Sequence, residues 1–155
     1  MKRFIVTGGY GFIGSNLIFM LLKKKFKVLN IDNLSYASQK FSLDAVDKKY
    51  YEFKKIDINN KKQLIKIFNR FKPDGIFNLA ADTHVDRSID NSYNFIRNNI
   101  LGVYNLLEAI KEYKNKVRLV HISTDEVYGD ILTGRSNENY PYNPSSPYAA
   151  SKASS

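Results

Sequence analysis

Apolar residues in this chain follow two rhythms that alternate from the N-terminus to about residue 123. Short, nearly unbroken apolar runs at Arg3–Thr7, Lys27–Ile31, Tyr50–Ile56, Gly75–Ala80 and Val117–Ser123 have the length and β-branched content of buried strands. Between them lie stretches whose apolar residues recur at helical spacing. Leu17, Leu21 and Leu22 mark a helix from near Gly11 to Lys25, and Leu64, Ile65, Ile67 and Phe68 mark one over Lys61–Phe71 that stops before Pro73. Phe95, Ile96, Ile100, Val103, Leu106, Leu107 and Ile110 predict a long helix over Asp90–Tyr113, interrupted by Asn99 and Gly102. Phe41–Lys48 is read as a short helix, and Tyr148–Ser155 as the first two turns of another. A polar segment rich in Gly, Pro and Asn, Thr124–Pro147, is a long loop of the kind that carries function. Strands alternating with helices predict an α/β fold, a Rossmann-like doubly wound parallel sheet ordered 3-2-1-4-5, with β5 at its edge.

Composition narrows this picture. The 155 residues suit one domain, and 43% hydrophobic with 25% charged residues reads as a soluble protein. No apolar run reaches the length of a membrane span, and the chain enters its first strand without a cleavable leader, so a cytoplasmic location is expected. With no cysteine and only His84 and His121, no metal site is expected. The net charge of +9 comes largely from scattered lysines without aromatic interleaving, which argues against nucleic acid as a partner.

The chemistry collects where strands end. Thr7-Gly8-Gly9-Tyr10-Gly11-Phe12-Ile13-Gly14 joins the first strand to the first helix, and it reads as G-x-x-G-x-x-G from Gly8 or G-x-G-x-x-G from Gly9. Such a turn aims free N–H groups and the positive helix end at one point, where a pyrophosphate fits. Asp32 closes the second strand at the distance, ~20 residues past the turn, where a carboxylate binds adenosine ribose. It would also repel a 2′-phosphate, which selects NAD. The loop Asn33-Leu34-Ser35-Tyr36-Ala37 is expected over the adenosine. Asp57, Asn78–Arg87 and Ser123–Glu126 lie at or beyond the other strand ends and are expected on the same rim.

Tyr148 and Lys152 are four residues apart, hence on one helix face. A lysine charge roughly 6 Å from the phenol, at an effective dielectric of about 20, is worth ~3 kcal/mol. That charge favours a Tyr148 pKa below its ordinary value, with desolvation opposing it and a bound oxidised nicotinamide adding to it, and so a base for a sugar hydroxyl. Asp125 and Glu126 are a carboxylate pair suited to an elimination, which needs one proton acceptor and one donor. Consecutive strand residues face opposite ways, so both reach one substrate only if the chain bends after Ser123.

Thr-Gly-Gly-x-Gly-Phe-Ile-Gly, Asp32, Asn78-Leu79-Ala80-Ala81, Asn99 and Tyr148-x-x-x-Lys152 resemble the extended short-chain dehydrogenase/reductase family over the whole chain. Asp32–Ala37, His84–Ser88 and Ser123–Gly129 are similar to the members of that family that dehydrate dTDP-glucose at C4–C6. The resemblance implies that NAD takes hydride from C4 while Tyr148 removes the hydroxyl proton, helped by Thr124 and Lys152. Glu126 would then remove the C5 proton, Asp125 would protonate the departing C6 hydroxyl, and hydride would return to C6, giving dTDP-4-keto-6-deoxyglucose. It implies cofactor contacts at Gly8, Gly11, Phe12, Ile13, Gly14, Asp32, Asn33, Leu34, Ser35, Asp57, Ile58, Leu79, Ala80, Ala81, Thr83, Asn98, Tyr148 and Lys152, and substrate contacts at Thr83 and Thr124. His84 reads as structural. Residues 1–155 correspond to the dinucleotide-binding domain, incomplete at its C-terminal end and without the substrate domain, so little activity is expected of the chain alone; the family implies a homodimer at full length. Another NAD-dependent nucleotide-sugar epimerase or decarboxylase, or a non-catalytic dinucleotide-binding module, are the competing functions.

Overall fold

Five strands, β1 (Arg3–Thr7), β2 (Lys27–Asp32), β3 (Tyr51–Lys55), β4 (Gly75–Asn78) and β5 (Arg118–His121), form one parallel sheet in the order β3-β2-β1-β4-β5 in the computed structural model, which describes residues 1–155. The order matches the one expected from the alternation of patterns, and β5 is an edge strand paired only with β4. Register sets the central residues side by side: Ile5 of β1 pairs with Leu29 of β2 and Ile76 of β4.

Two helices owe their ends to identifiable residues. Helix α1 (Phe12–Lys23) begins at the glycine turn, buries Ile18 and Leu21, and is followed by Lys25 in the left-handed region at φ 56°. Helix α2 (Lys61–Phe71) starts where the Asn60 side chain accepts a hydrogen bond from Gln63 N–H, and ends at left-handed Lys72 ahead of Pro73. The sheet is covered on both faces. On one, Ile5, Leu29, Ile31 and Ile76 pack with Leu64, Phe68, Leu106 and Ala109; on the other, Val6 and Val28 pack with Ile18, Leu21, Leu43 and Tyr51.

Two helix predictions need correction. Phe41–Lys48 forms only a 3-10 turn at Lys40–Leu43, because local side chains take over backbone groups: the Ser42 hydroxyl donates to Gln39 C=O and Asp47 accepts from Lys49 N–H. The helix expected over Asp90–Tyr113, with its interruption at Asn99 and Gly102, starts later, at Tyr93, and runs on to Glu112 with a π-wound middle that contains Asn99 and gives way to α-helix at Gly102. Asp90 ends a separate helix, α3 (Val85–Asp90), inside what the sequence suggested was a polar connection. A short α4 (Tyr93–Phe95) then runs into a π-helical stretch, Ile96–Leu101, before α5 (Gly102–Glu112). Asn91 and Ser92 break the first junction, where Asn91 Oδ1 accepts from Tyr93 N–H.

The chain divides into two compact units: Met1–Ala80 with Asn105–Ile122, which holds the sheet, and Ala81–Tyr104 with Ser123–Ser155. In the second unit, α6 (Pro147–Ser154) packs on α3, α4 and the π stretch. Its loop Thr124–Pro147 contains a 3-10 turn at Asp125–Tyr128, tied down by Asn143 N–H donating to Val127 C=O and by the Tyr128 ring against Tyr140 and Tyr142. No helix is long and apolar enough to cross a membrane.

Candidate active site

The first unit carries a cradle built from glycine. Gly8 sits at φ 66°, and a Cβ there would lie 2.9 Å from Ala80 N and Cα. A Cβ on Gly9 would lie 2.2 Å from Asn30 Oδ1, and one on Gly14 would lie 2.3 Å from Gly8 O. The turn is therefore pressed onto β4's exit, onto β2 and onto its own helix, and no larger residue fits at those three points. Gly11 is open by comparison, with only Gly8 O near its missing Cβ, at 3.2 Å. No side chain caps α1 at Gly11, and the Phe12 and Ile13 side chains are exposed. The first N–H groups of the helix thus face outward, ready for an anion.

Asp32, only 5% exposed, stands beside this turn at the end of β2. Its carboxylate accepts from Tyr10 N–H at 3.0 Å, Leu34 N–H at 2.8 Å and the Ser38 hydroxyl at 2.8 Å. Asn33 and Ser35 are exposed in the loop that follows, and Asn33 Oδ1 accepts from Ser35 N–H. Ile56 N–H donates to Asp32 C=O, which brings Asp57 and Ile58 next to Asp32; the Ile58 side chain is buried, so only its backbone can face a ligand. Leu79 N–H donates to Thr7 C=O and Ala80 N–H to Thr7 Oγ1, and the Thr7 hydroxyl donates to Asn78 Oδ1. The cofactor residues expected from Gly8 to Ala80 are thus gathered at the carboxyl ends of β1, β2, β3 and β4.

Beneath the turn lies a polar pair that the pattern of the sequence did not single out. Asn30, fully buried in β2, donates from Nδ2 to the Tyr51 hydroxyl at 3.0 Å, while its Oδ1 has no hydrogen-bond partner. Burial, with the Tyr10 hydroxyl as a second cause, drives the Tyr51 pKa far above its ordinary value. The one sequence signal was an asparagine in the middle of an apolar strand, Val28-Leu29-Asn30-Ile31.

The second unit carries the acid–base residues. The chain does bend after Ser123: Thr124 is the N-cap of the 3-10 turn, its hydroxyl accepting from Glu126 N–H at 3.3 Å, so Asp125 and Glu126 leave strand geometry and are both exposed. The Thr124 hydroxyl also donates to Asp125 Oδ1 at 3.3 Å, and it stands near enough to the Tyr148 phenol to favour its ionised form. Tyr148 and Lys152 are buried on α6, whose start is fixed from two sides: Ser146 accepts from Ala149 N–H, and buried Ser88 accepts from Tyr148 N–H at 3.1 Å. Asn99, in the π stretch, bonds both the N–H and the C=O of Asp82 and donates to Ser151 Oγ, which donates to Tyr148 C=O. Asn98 Nδ2 donates to Asp82 Oδ2 at 2.6 Å, Thr83 and His84 are exposed, and Ala81 is half-buried. Ser88 and Ser151 are positioning residues that no spacing rule in the sequence flags.

The expected depression of the Tyr148 pKa is overturned. Burial raises it, the Thr124 hydroxyl opposes that rise, and the charges of Glu126 and Asp125 add to it. Lys152 is itself desolvated, which lowers the pKa of its ammonium. Helical spacing placed the pair on one face, but burial decides the sign.

The family model described as GDP-mannose 4,6 dehydratase matches residues 5–155. The chain is 45% identical to dTDP-glucose 4,6-dehydratase of Neisseria meningitidis serogroup B, over 100% of this chain and 47% of that protein. Among solved structures it is similar to the dTDP-glucose 4,6-dehydratase DesIV of Streptomyces venezuelae, solved with NAD bound, at TM-score 0.93 and 39% identity over 99% of this chain and 49% of that one. It is also similar to a UDP-glucose 4-epimerase of Thermus thermophilus in complex with NAD, at TM-score 0.88 and 36% identity over 98% and 48%. The chain spans about half the length of the relatives it matches.

Proposed function

The chain belongs to the GDP-mannose 4,6 dehydratase family, and from that premise we propose that it carries the cofactor-binding and acid–base residues for NAD-dependent dehydration of dTDP-glucose to dTDP-4-keto-6-deoxyglucose. The observation that carries the proposal is the capped turn of the second unit, in which Thr124 stands beside the Tyr148 phenol and the next two residues are exposed carboxylates.

The residues present fit a dinucleotide. The outward N–H groups at the start of α1 suit a pyrophosphate, and the open backbone at Gly11 lets it approach. Asp32, with Asn33–Ser35 and Asp57–Ile58 alongside, suits the adenosine ribose; Leu79–Ala81, Thr83 and Asn98 are assigned to the remainder. NAD, when bound, supplies a hydride acceptor for C4 and, after water is lost, a hydride donor for C6. Tyr148 takes the C4 hydroxyl proton. Its raised pKa means that it rests as a phenol, so it becomes a base only when positive charge, from the Lys152 ammonium and the oxidised nicotinamide, favours the phenolate. Thr124 donates to that phenolate. Glu126 removes the C5 proton, made acidic by the C4 ketone, and Asp125 protonates the C6 hydroxyl so that it leaves as water.

Cytoplasmic action and a homodimer belong to the same proposal. Support for the dimer comes from Tyr93, Ile96, Leu101 and Tyr104, large apolar residues of the second unit that are 48–67% exposed. The deciding experiment is mass analysis of the product from dTDP-glucose and NAD, with this chain and with a version extended to the length of its relatives. Loss of one water from the sugar is expected. An isomer of unchanged mass would instead identify an epimerase, and cofactor binding without turnover by either chain a non-catalytic module.

A further inference from the structure

The carboxylate that ends β2 is more crowded than ribose recognition requires. An ionised carboxylate is a pure acceptor, with about two positions on each oxygen. At Asp32 Oδ1 both are filled, by Leu34 N–H and the Ser38 hydroxyl, each at 2.8 Å. At Oδ2 the Tyr10 N–H takes one, at 3.0 Å. A single acceptor position, on Oδ2, is left.

The three donors differ in kind. Tyr10 N–H is fixed by the glycine turn, and Tyr10 C=O is held in turn by Gln39 N–H at 2.9 Å. Leu34 N–H is fixed by its left-handed backbone at φ 63°. Ser38 is a side chain, half-buried in the returning loop, whose hydroxyl swings away by rotation about one bond. Adenosine offers two neighbouring ribose hydroxyls, and a carboxylate that accepts from both needs an open position for each.

We infer that Ser38 is an affinity- and specificity-setting residue for the adenosine ribose, because its hydroxyl occupies the Asp32 Oδ1 position that the second ribose hydroxyl would take. The ribose is then read through one hydroxyl at Oδ2, or both are read after Ser38 has turned away and given up its hydrogen bond. In either case the Ser38 hydroxyl lowers affinity for a ribose with both hydroxyls and leaves one with a single hydroxyl nearly unaffected. The inference rests on the dinucleotide reading of the glycine turn.

Calorimetric titration of this chain with NAD, and with an NAD analogue lacking the adenosine 2′-hydroxyl, tests it. Ser38→Ala and Ser38→Gly remove the hydroxyl, and Ser38→Thr keeps it. The two hydroxyl-free variants should bind NAD about three- to tenfold more tightly than wild type, as expected for release of one charge-assisted hydrogen bond that the ligand replaces. Ser38→Thr should match wild type, and the gain should shrink to less than about twofold with the deoxy analogue. Unchanged or weaker NAD binding by both hydroxyl-free variants, or a gain that persists with the analogue, overturns the inference and leaves the cofactor reading standing. Failure of the wild-type chain to bind NAD overturns both. Melting curves guard against a misfolded Ala variant, in which case the Gly variant decides.

Discussion

Replacing Gly14 by alanine sets two effects of opposite sign against each other. Gly14 lies inside α1, where alanine is favoured over glycine by about 1 kcal/mol through helix propensity alone. The added Cβ, however, would lie 2.3 Å from Gly8 O, 2.8 Å from Gly9 Cα and 3.0 Å from Gly8 C. The first distance is about 1 Å inside an ordinary carbon–oxygen contact of roughly 3.3–3.6 Å. All three neighbours are backbone, so relief requires the turn or the helix to move. Overpacking of this kind costs ~1–3 kcal/mol, toward the upper end here because no side chain can rotate away. Gly14→Ala should therefore destabilise by about 1–2 kcal/mol net and lower the melting temperature by roughly 2–8 °C. The displacement should also carry the first N–H groups of α1 off the pyrophosphate; loss of one charge-assisted hydrogen bond, ~1.5–3 kcal/mol, weakens NAD binding about tenfold or more. Urea denaturation and cofactor titration on the same preparation measure both. A variant stabilised by about 1 kcal/mol with unchanged NAD affinity would show that propensity governs the site and that the close approach does not.

Further outcomes follow from the same geometry. Tyr51→Phe removes the hydroxyl that Asn30 Nδ2 donates to and should cost about 1–3 kcal/mol at neutral pH. Because the folded Tyr51 pKa is raised, the unfolded chain loses that proton first, so wild-type stability should fall as pH rises above about 10, and melting curves over the alkaline range should show a shallower fall for Tyr51→Phe; an identical slope would refute the burial of this phenol. Asp32 should make NAD bind at least tenfold more tightly than NADP, and parallel titrations giving equal affinities would remove Asp32 from the ribose site. In the protein at its relatives' length, Glu126→Gln should permit oxidation at C4 yet stall before loss of water, so that reduced-nicotinamide absorbance accumulates in a single turnover, whereas Tyr148→Phe should slow its appearance. Normal dehydration by Glu126→Gln would be fatal to the role given to Glu126.

What the sequence revealed and what it concealed divide along physical lines. The glycine turn, Asp32 and the strand order were legible because they rest on backbone requirements and on period: a crowded turn needs glycine, and a strand covered on both faces reads as a continuous apolar run. The bend after Ser123 was legible as a condition, and the Thr124 cap meets it. The interruption of the long helix was legible at Asn99 and Gly102, but its π winding was not, since the bonds that Asn99 makes to Asp82 and Ser151 lie outside its own helix. Ser38, Ser88 and Ser151 escaped notice for the same reason, being small polar residues whose partners are distant in sequence or across a loop. The sign of the Tyr148 shift was misjudged because spacing reveals a neighbouring charge but not how far water is excluded from both groups.

The π stretch also bears on how this sequence can vary in length. An α-helix turns by about 100° per residue, and a π stretch accommodates one residue more than the α-helical count would hold. Deleting one residue between Ile96 and Leu101 would let the segment close as regular α-helix, so local hydrogen bonding would not suffer. The flanks would stay nearly in phase, but the wide turn itself would be gone, and Asn99 within it could no longer face both Asp82 and Ser151. A single codon lost here is silent for the helix and disabling for the helix beside it that carries Tyr148, so natural length changes in this chain belong in the exposed loops and not in this stretch.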